Sequence, residues 1–266
     1  MRLKMVGVTI RGGSLARSVG LFTVLPAGSE TAQLGPGDGV AALLWLPAVG
    51  AVLGAAAGVP AGAIREWEPH AGLAGAVLAV AALALLTRCL HLDGLADTAD
   101  GLGSRAPAER ALEIMRKSDI GPFGVVTLVF VLLADVTAVS SARGGPWTPV
   151  AVLAIAAATG RVAAVQAAMR GVPAARSSGF GTLVADGIST GAVAAWTIGV
   201  LVLGTLVAGA AGINVIWTVV AQLAALAVAW WLRAHAGRRL GGMTGDVFGA
   251  LIETATAVVL IGMALW

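Results

Sequence analysis

Residues 71–101 read AGLAGAVLAVAALALLTRCL (71–90) followed at once by HLDGLADTADG (91–101). The first part is apolar enough to cross a membrane, since a hydrocarbon core of ~30 Å takes roughly 20 apolar residues in a helix. The second part carries three carboxylates, Asp93, Asp97 and Asp100, where that segment ends. An apolar span running directly into an acidic row predicts an integral membrane protein with its chemistry at one membrane face.

The rest of the chain agrees. Of 266 residues, 58% are hydrophobic and 12% charged, against about 25% charged in an ordinary soluble domain. Seven apolar spans are expected, at about 39–64, 70–90, 121–142, 147–169, 190–211, 213–232 and 246–266. The predicted fold is all-α, a polytopic helical bundle forming one membrane-embedded catalytic domain over residues 1–266. Pro47 and the glycines of the first span leave a kink or a re-entrant shape open. Residues 1–37 do not span; within them GGSLARSVGLFTVLP has the composition of an interfacial helix. No cleavable leader is read, because the apolar run MVGVTI is short and Arg11 interrupts it. Cys89 is the single cysteine, so no intrachain disulfide is expected.

Lysine and arginine fix the expected orientation. The N-terminus and the even-numbered loops hold 15 of these residues and the odd-numbered loops 2. By the positive-inside rule, the N-terminus and the motif-bearing loops face the cytoplasm. Arginine outnumbers lysine 15 to 2 and alanine, glycine and valine dominate, which fits a high-GC bacterial coding sequence. The expected location is the bacterial inner membrane, and no nucleic-acid partner is expected.

On a helix, positions 93, 97 and 100 lie on one face, spread over ~10 Å. Like charges four residues apart destabilise a helix by a few tenths of a kcal/mol, and no lysine or arginine stands between Arg88 and Arg105. A solvated face or a helix cap is the plain reading; a divalent cation resolves the repulsion better. All-oxygen ligands suit Mg²⁺ or Mn²⁺, and Mg²⁺ completes its shell with water and substrate phosphate. A basic complement follows in ERALEIMRKSDIGPFG, where Arg116, Lys117 and Ser118 are candidate phosphate contacts. Two further stretches look chemical. GRVAAVQAAMRGVPAARSSGFG carries Arg161, Arg170 and Arg176, and RRLGGMTGDVFGALIE carries Thr244, Asp246 and Glu253. Arg161 and Glu253 fall inside spans, where an ionisable group must pair or face a cavity. Asp135, also within a span, has no motif around it and is read as structural; His70 and His235 have no partner in sequence.

Taken together, LFTVLP, HLDGLADTADGLG, ALEIMRKSDIGPFG, MRGVPAARSSGFG and GGMTGDVFGALIE resemble the cobalamin synthase family, the adenosylcobinamide-GDP ribazoletransferases, in the family's order over residues 22–253. The resemblance implies a Mg²⁺-dependent membrane enzyme of the late coenzyme B12 pathway. Such an enzyme joins adenosylcobinamide-GDP to α-ribazole, or its 5′-phosphate, and releases GMP. It implies that Asp93, Asp97 and Asp100 hold the metal, and that one carboxylate or His91 takes the hydroxyl proton. The arginines, Lys117, Ser118, Thr244, Asp246 and Glu253 would bind substrate. Asp119 stands where many relatives have a basic residue, and Thr256 where a second glutamate is common. Two rivals remain: a CDP-alcohol-type phosphotransferase of lipid synthesis, whose motif DGLADTADG matches only at its start, and an ion-coupled transporter, for which no inverted repeat is visible.

Overall fold

A computed structural model describes residues 13–27 and 35–265. The parts of the expected N-terminal segment at 1–12 and 28–34 lie outside the described residues. The helices, in chain order, are α1 (Ser14–Phe22), α2 (Pro36–Trp67), α3 (Gly72–Leu86), α4 (Leu90–Gly103), α5 (Ala108–Ile114), α6 (Pro122–Ser140), α7 (Thr148–Ala167), α8 (Phe180–Val184), α9 (Thr190–Ala210), α10 (Val215–Leu240) and α11 (Gly245–Ala264). A 3-10 turn, Pro69–Ala71, leads into α3. Among the described residues the only β-type pairings are two isolated bridges, Met169–Ile188 and Ala174–Met243. The described residues form an all-α bundle, in which seven helices are long and apolar enough to cross a membrane.

Boundaries moved where local geometry overrode composition. The second span ends at Leu86 rather than residue 90. There Arg88 and Cys89 both take left-handed backbone angles, each with φ 54°, which breaks the helix and starts α4 on a new axis. The sixth span runs on to Leu240 because α10 continues through its arginines. The first span is one uninterrupted helix through Pro47 and Pro60, so the re-entrant alternative is not adopted. At 32 residues it is about 48 Å long, at 1.5 Å per residue, and exceeds the hydrocarbon core.

Helices α7 and α11 form the centre, with most of their lengths buried by the others. Tight packing of α2 on α7 depends on Gly50, Gly54, Gly58 and Gly62, one residue per turn along a single stripe. A Cβ at Gly58 would lie 2.6 Å from the Cα of Val150, and one at Gly54 would collide with the carbonyl of Leu153. Small residues at such spacing let membrane helices approach backbone to backbone, where close packing replaces the absent hydrophobic drive. Helix α1 docks on this bundle through buried Leu21 and Phe22. Phe22 meets Phe180 edge to face at 5.4 Å between ring centroids, and Phe180 meets Phe248 at 5.9 Å. That cluster joins α1, α8 and α11 beside the acidic helix.

Candidate active site

Helix α4 presents its aspartates as a gradient. Asp93 is exposed, Asp97 half-buried and Asp100 buried. The adjoining face, with His91, Gly94 and Thr98, is buried against the bundle. Close approach to α11 is permitted by glycine: a Cβ on Gly94 would lie 2.6 Å from the carbonyl oxygen of Asp246. Across the same crossing, a Cβ on Gly249 would lie 2.9 Å from the carbonyl of His91. The crossing carries Asp246 to the aspartate row from 146 residues away in sequence.

The electrostatics follow. The Asp97 carboxyl is pushed up to about 7, first by partial burial and then by the charges of Asp246, Asp93 and Asp100, while Arg176 opposes the shift. Asp246 Oδ2 accepts from Arg176 Nη1 at 3.3 Å and from Thr244 Oγ1 at 3.3 Å. Thr244 also caps α11, its Oγ1 accepting from the Val247 N–H. Arg176 Nη2 donates to the carbonyl of Leu112 at 3.0 Å, so one guanidinium ties α5, the 168–179 loop and α11 together.

Asp100 has a separate task. Its Oδ2 accepts from the Gly121 N–H at 2.7 Å and its Oδ1 from the Gly124 N–H at 2.9 Å. Both are otherwise unpaired donors in the first turn of α6, and a carboxylate there also meets the positive end of the helix dipole. A Cβ on Gly124 would sit 2.6 Å from that carboxylate, which explains the glycines of the DIGPFG stretch.

His91, in contrast, is enclosed. It is 3% exposed, and burial followed by the nearby Arg161 charge holds its ring well below the usual imidazole range. Its Nδ1 lies 3.4 Å from Arg161 Nη2 and 3.6 Å from Glu253 Oε1. Arg161 is 1% exposed; its Nη1 donates to its own helix at the Ala157 carbonyl. Room for it comes from Gly50, whose Cβ would lie 2.7 Å from Arg161 Cδ. Arg161, His91 and Glu253 are therefore one buried chain under α4, behind the carboxylate face.

The remaining sequence candidates divide. Arg116, Lys117 and Ser118 stand exposed, with Asp119, on the loop between α5 and α6. Arg170 is exposed; its backbone N–H bonds to the carbonyl of Ile188, and among the described residues its side chain joins no ion pair. Two contributions were not legible beforehand. Asp135 lines a cavity with Glu253, although no motif surrounds it. His235 is stacked on Trp231, 5.6 Å between centroids, an i, i+4 pairing on α10 that helical spacing could have suggested.

Whether these residues suit a divalent cation is a question of donors. Among the described residues, no three His, Cys, Asp or Glu side chains form a ready-made metal cage. Mg²⁺ is normally bound through one or two carboxylates plus water and substrate phosphates. Mutually repelling carboxylates of Asp93, Asp97 and Asp246 at an accessible helix crossing fit that hard-oxygen chemistry, and Asp100 completes the row electrostatically.

A family profile described as cobalamin-5-phosphate synthase matches residues 14–264. The chain is 39% identical to an adenosylcobinamide-GDP ribazoletransferase of Frankia casuarinae over 236 residues, 84% of each chain. It is 38% identical over 224 residues to proteins of the same name from Citrobacter koseri and Klebsiella pneumoniae, covering 83% of this chain and 86% of theirs. No solved structure matches the chain.

Proposed function

The chain belongs to the cobalamin-5-phosphate synthase family, and from that premise we propose that it joins adenosylcobinamide-GDP to α-ribazole, or α-ribazole 5′-phosphate, with release of GMP. The observation that carries this reading is the meeting of Asp246 with the Asp93–Asp97 face, bridged by Arg176 to α5. It sets carboxylates and a guanidinium side by side at the end of the bundle where the motif-bearing loops converge. The positive-inside count supports a cytoplasmic position for that end, in a bacterial inner membrane.

A ribose hydroxyl of the acceptor attacks the phosphorus attached to cobinamide, its bond to the bridging oxygen breaks, and GMP leaves with that oxygen. Such a transfer needs positioning and charge neutralisation more than covalent help. Asp93, Asp97 and Asp246 would hold Mg²⁺ or Mn²⁺, which when bound would supply charge neutralisation to the pyrophosphate. Arg116, Lys117 and Ser118 of the exposed loop between α5 and α6 hold phosphate oxygens, the arginine in a bidentate manner. Arg176 fixes Asp246 and faces the developing charge. The hydroxyl proton passes to a carboxylate of the acidic face, because His91 is enclosed beneath α4. Arg161 holds His91 and, through it, the helix that carries the carboxylates, while Glu253 balances the charge of Arg161.

The test is turnover by purified protein in detergent without any ion gradient. Adenosylcobinamide-GDP, α-ribazole and Mg²⁺ should yield GMP and a cobamide in equal amounts; EDTA should abolish the reaction and Mg²⁺ or Mn²⁺ restore it. CMP release from a CDP-linked lipid precursor, or no GMP at all, would refute the assignment.

A further inference from the structure

The membrane-spanning core contains a second polar centre, around Asp135, that touches no reacting atom of the transfer. Asp135 of α6 is 4% exposed, and its Oδ1 has no hydrogen-bond partner among the described residues. It lies thirteen residues into its span, roughly 20 Å from the start of the helix at 1.5 Å per residue. Asp135, Glu253 and Thr256 are the polar lining of a cavity of about 20 Å³, whose other walls are aliphatic, among them Leu83, Leu132 and Leu153.

Size and lining constrain what the cavity holds. A void of roughly 10–15 Å³ or more accommodates one water when two to four polar groups line it, whereas only apolar voids stay dry. Charge gives the second constraint. The nearest cation is Arg161, whose Nη2 lies 3.4 Å from the same His91 Nδ1 that stands 3.6 Å from Glu253 Oε1. A guanidinium can only donate, so His91 Nδ1 accepts from it and the ring is neutral. One positive group thus stands against two carboxyls inside a bundle surrounded by lipid. An uncompensated charge there is costly, and two carboxylates sharing one site do not both ionise.

We propose that this cavity binds one water molecule and one proton, the proton residing on Asp135 and the water bridging the neutral Asp135 carboxyl to the Glu253 carboxylate and Thr256. The site then balances: Arg161 offsets Glu253, and Asp135 donates to the water instead of leaving a bare buried oxygen. Glu253 stays ionised to balance Arg161, which makes Asp135 a positioning residue for the contact between Arg161 and His91.

Infrared spectroscopy of the purified full-length protein tests this without reference to turnover, so it stands apart from the assigned reaction. At pH 9, where the half-exposed Asp97 is ionised, the wild type should still show the carbonyl stretch of one neutral carboxylic acid. The band should shift in D₂O, shift on ¹³C labelling of aspartate but not glutamate carboxyls, and disappear in Asp135→Asn. Should Asp135→Asn fail to fold, the isotope pattern in the wild type decides alone. Absence of the band, its movement with glutamate labelling, or its survival in Asp135→Asn would overturn the proposal. So would a melting temperature that rises with NaCl but not with KCl in the wild type and loses that difference in Asp135→Asn, because a bound Na⁺ would then supply the missing charge.

Discussion

Replacing Gly94 by alanine adds one methyl group where α4 crosses α11, and its consequences are calculable. The new Cβ would lie 2.6 Å from the Asp246 carbonyl oxygen and 3.0 Å from its Cα, against 3.4 Å for ordinary contact. Both obstructing atoms are backbone, so no side chain can swing aside. Relief requires the helices to separate by about 0.8 Å at the point where Asp246 joins the aspartate row. Overpacking of this kind costs about 1–3 kcal/mol, offset by about 1 kcal/mol from alanine's better helix propensity. The net loss of stability is at most about 2 kcal/mol. The catalytic loss is larger, since a misplacement near 1 Å can cost on the order of 100-fold. Gly94→Ala should therefore lower GMP release by roughly 10- to 100-fold with only a modest fall in the melting temperature. Gly199→Ala, in α9 with nothing within 4 Å of its Cβ, is the control and should leave turnover unchanged. Wild-type turnover in Gly94→Ala would refute the claim that the α4–α11 crossing sets the carboxylate geometry.

Asp97→Asn and Asp100→Asn should separate chemistry from architecture. The first relieves repulsion and should cut turnover by orders of magnitude at an unchanged or raised melting temperature. The second loses one charge-assisted cap bond of α6 and should cost about 1–2 kcal/mol in denaturation. Because the Asp97 carboxyl is raised to about 7, cation binding must displace its proton below that pH. Apparent Mg²⁺ affinity should rise about tenfold per pH unit up to neutrality and then level off, a dependence that isothermal titration should find flattened in Asp97→Asn. By the same sign, the metal-free protein should lose stability as pH rises from the ordinary carboxyl range to about 7, which a thermal melt in EDTA checks. For orientation, cysteines introduced at Arg105 and Ser177 in a Cys89→Ser background should resist an impermeant thiol reagent applied outside intact spheroplasts; labelling of either would reverse the topology.

Some of this was legible in one dimension. Seven spans follow from local hydropathy, because a helix in lipid must satisfy its own backbone and needs a set length of apolar residues. The shared face of Asp93, Asp97 and Asp100 follows from helical phase, since neighbours at i, i+4 and i+7 are fixed by a single turn angle. The sequence order of the motifs carried the family. What each charged residue does was decided by the crossing of helices that are distant in sequence. Gly94 and Gly249 let α4 and α11 touch, and so made Asp246 a member of the acidic row. Gly121 and Gly124 opened the start of α6 to Asp100, which became its cap. Gly50 on α2 made room for Arg161 beneath His91, and the packing of α6 against α11 brought Asp135 to the cavity of Glu253. Local spacing cannot carry this information: a missing Cβ determines how closely two backbones approach, but which backbones approach is settled only when the whole bundle packs.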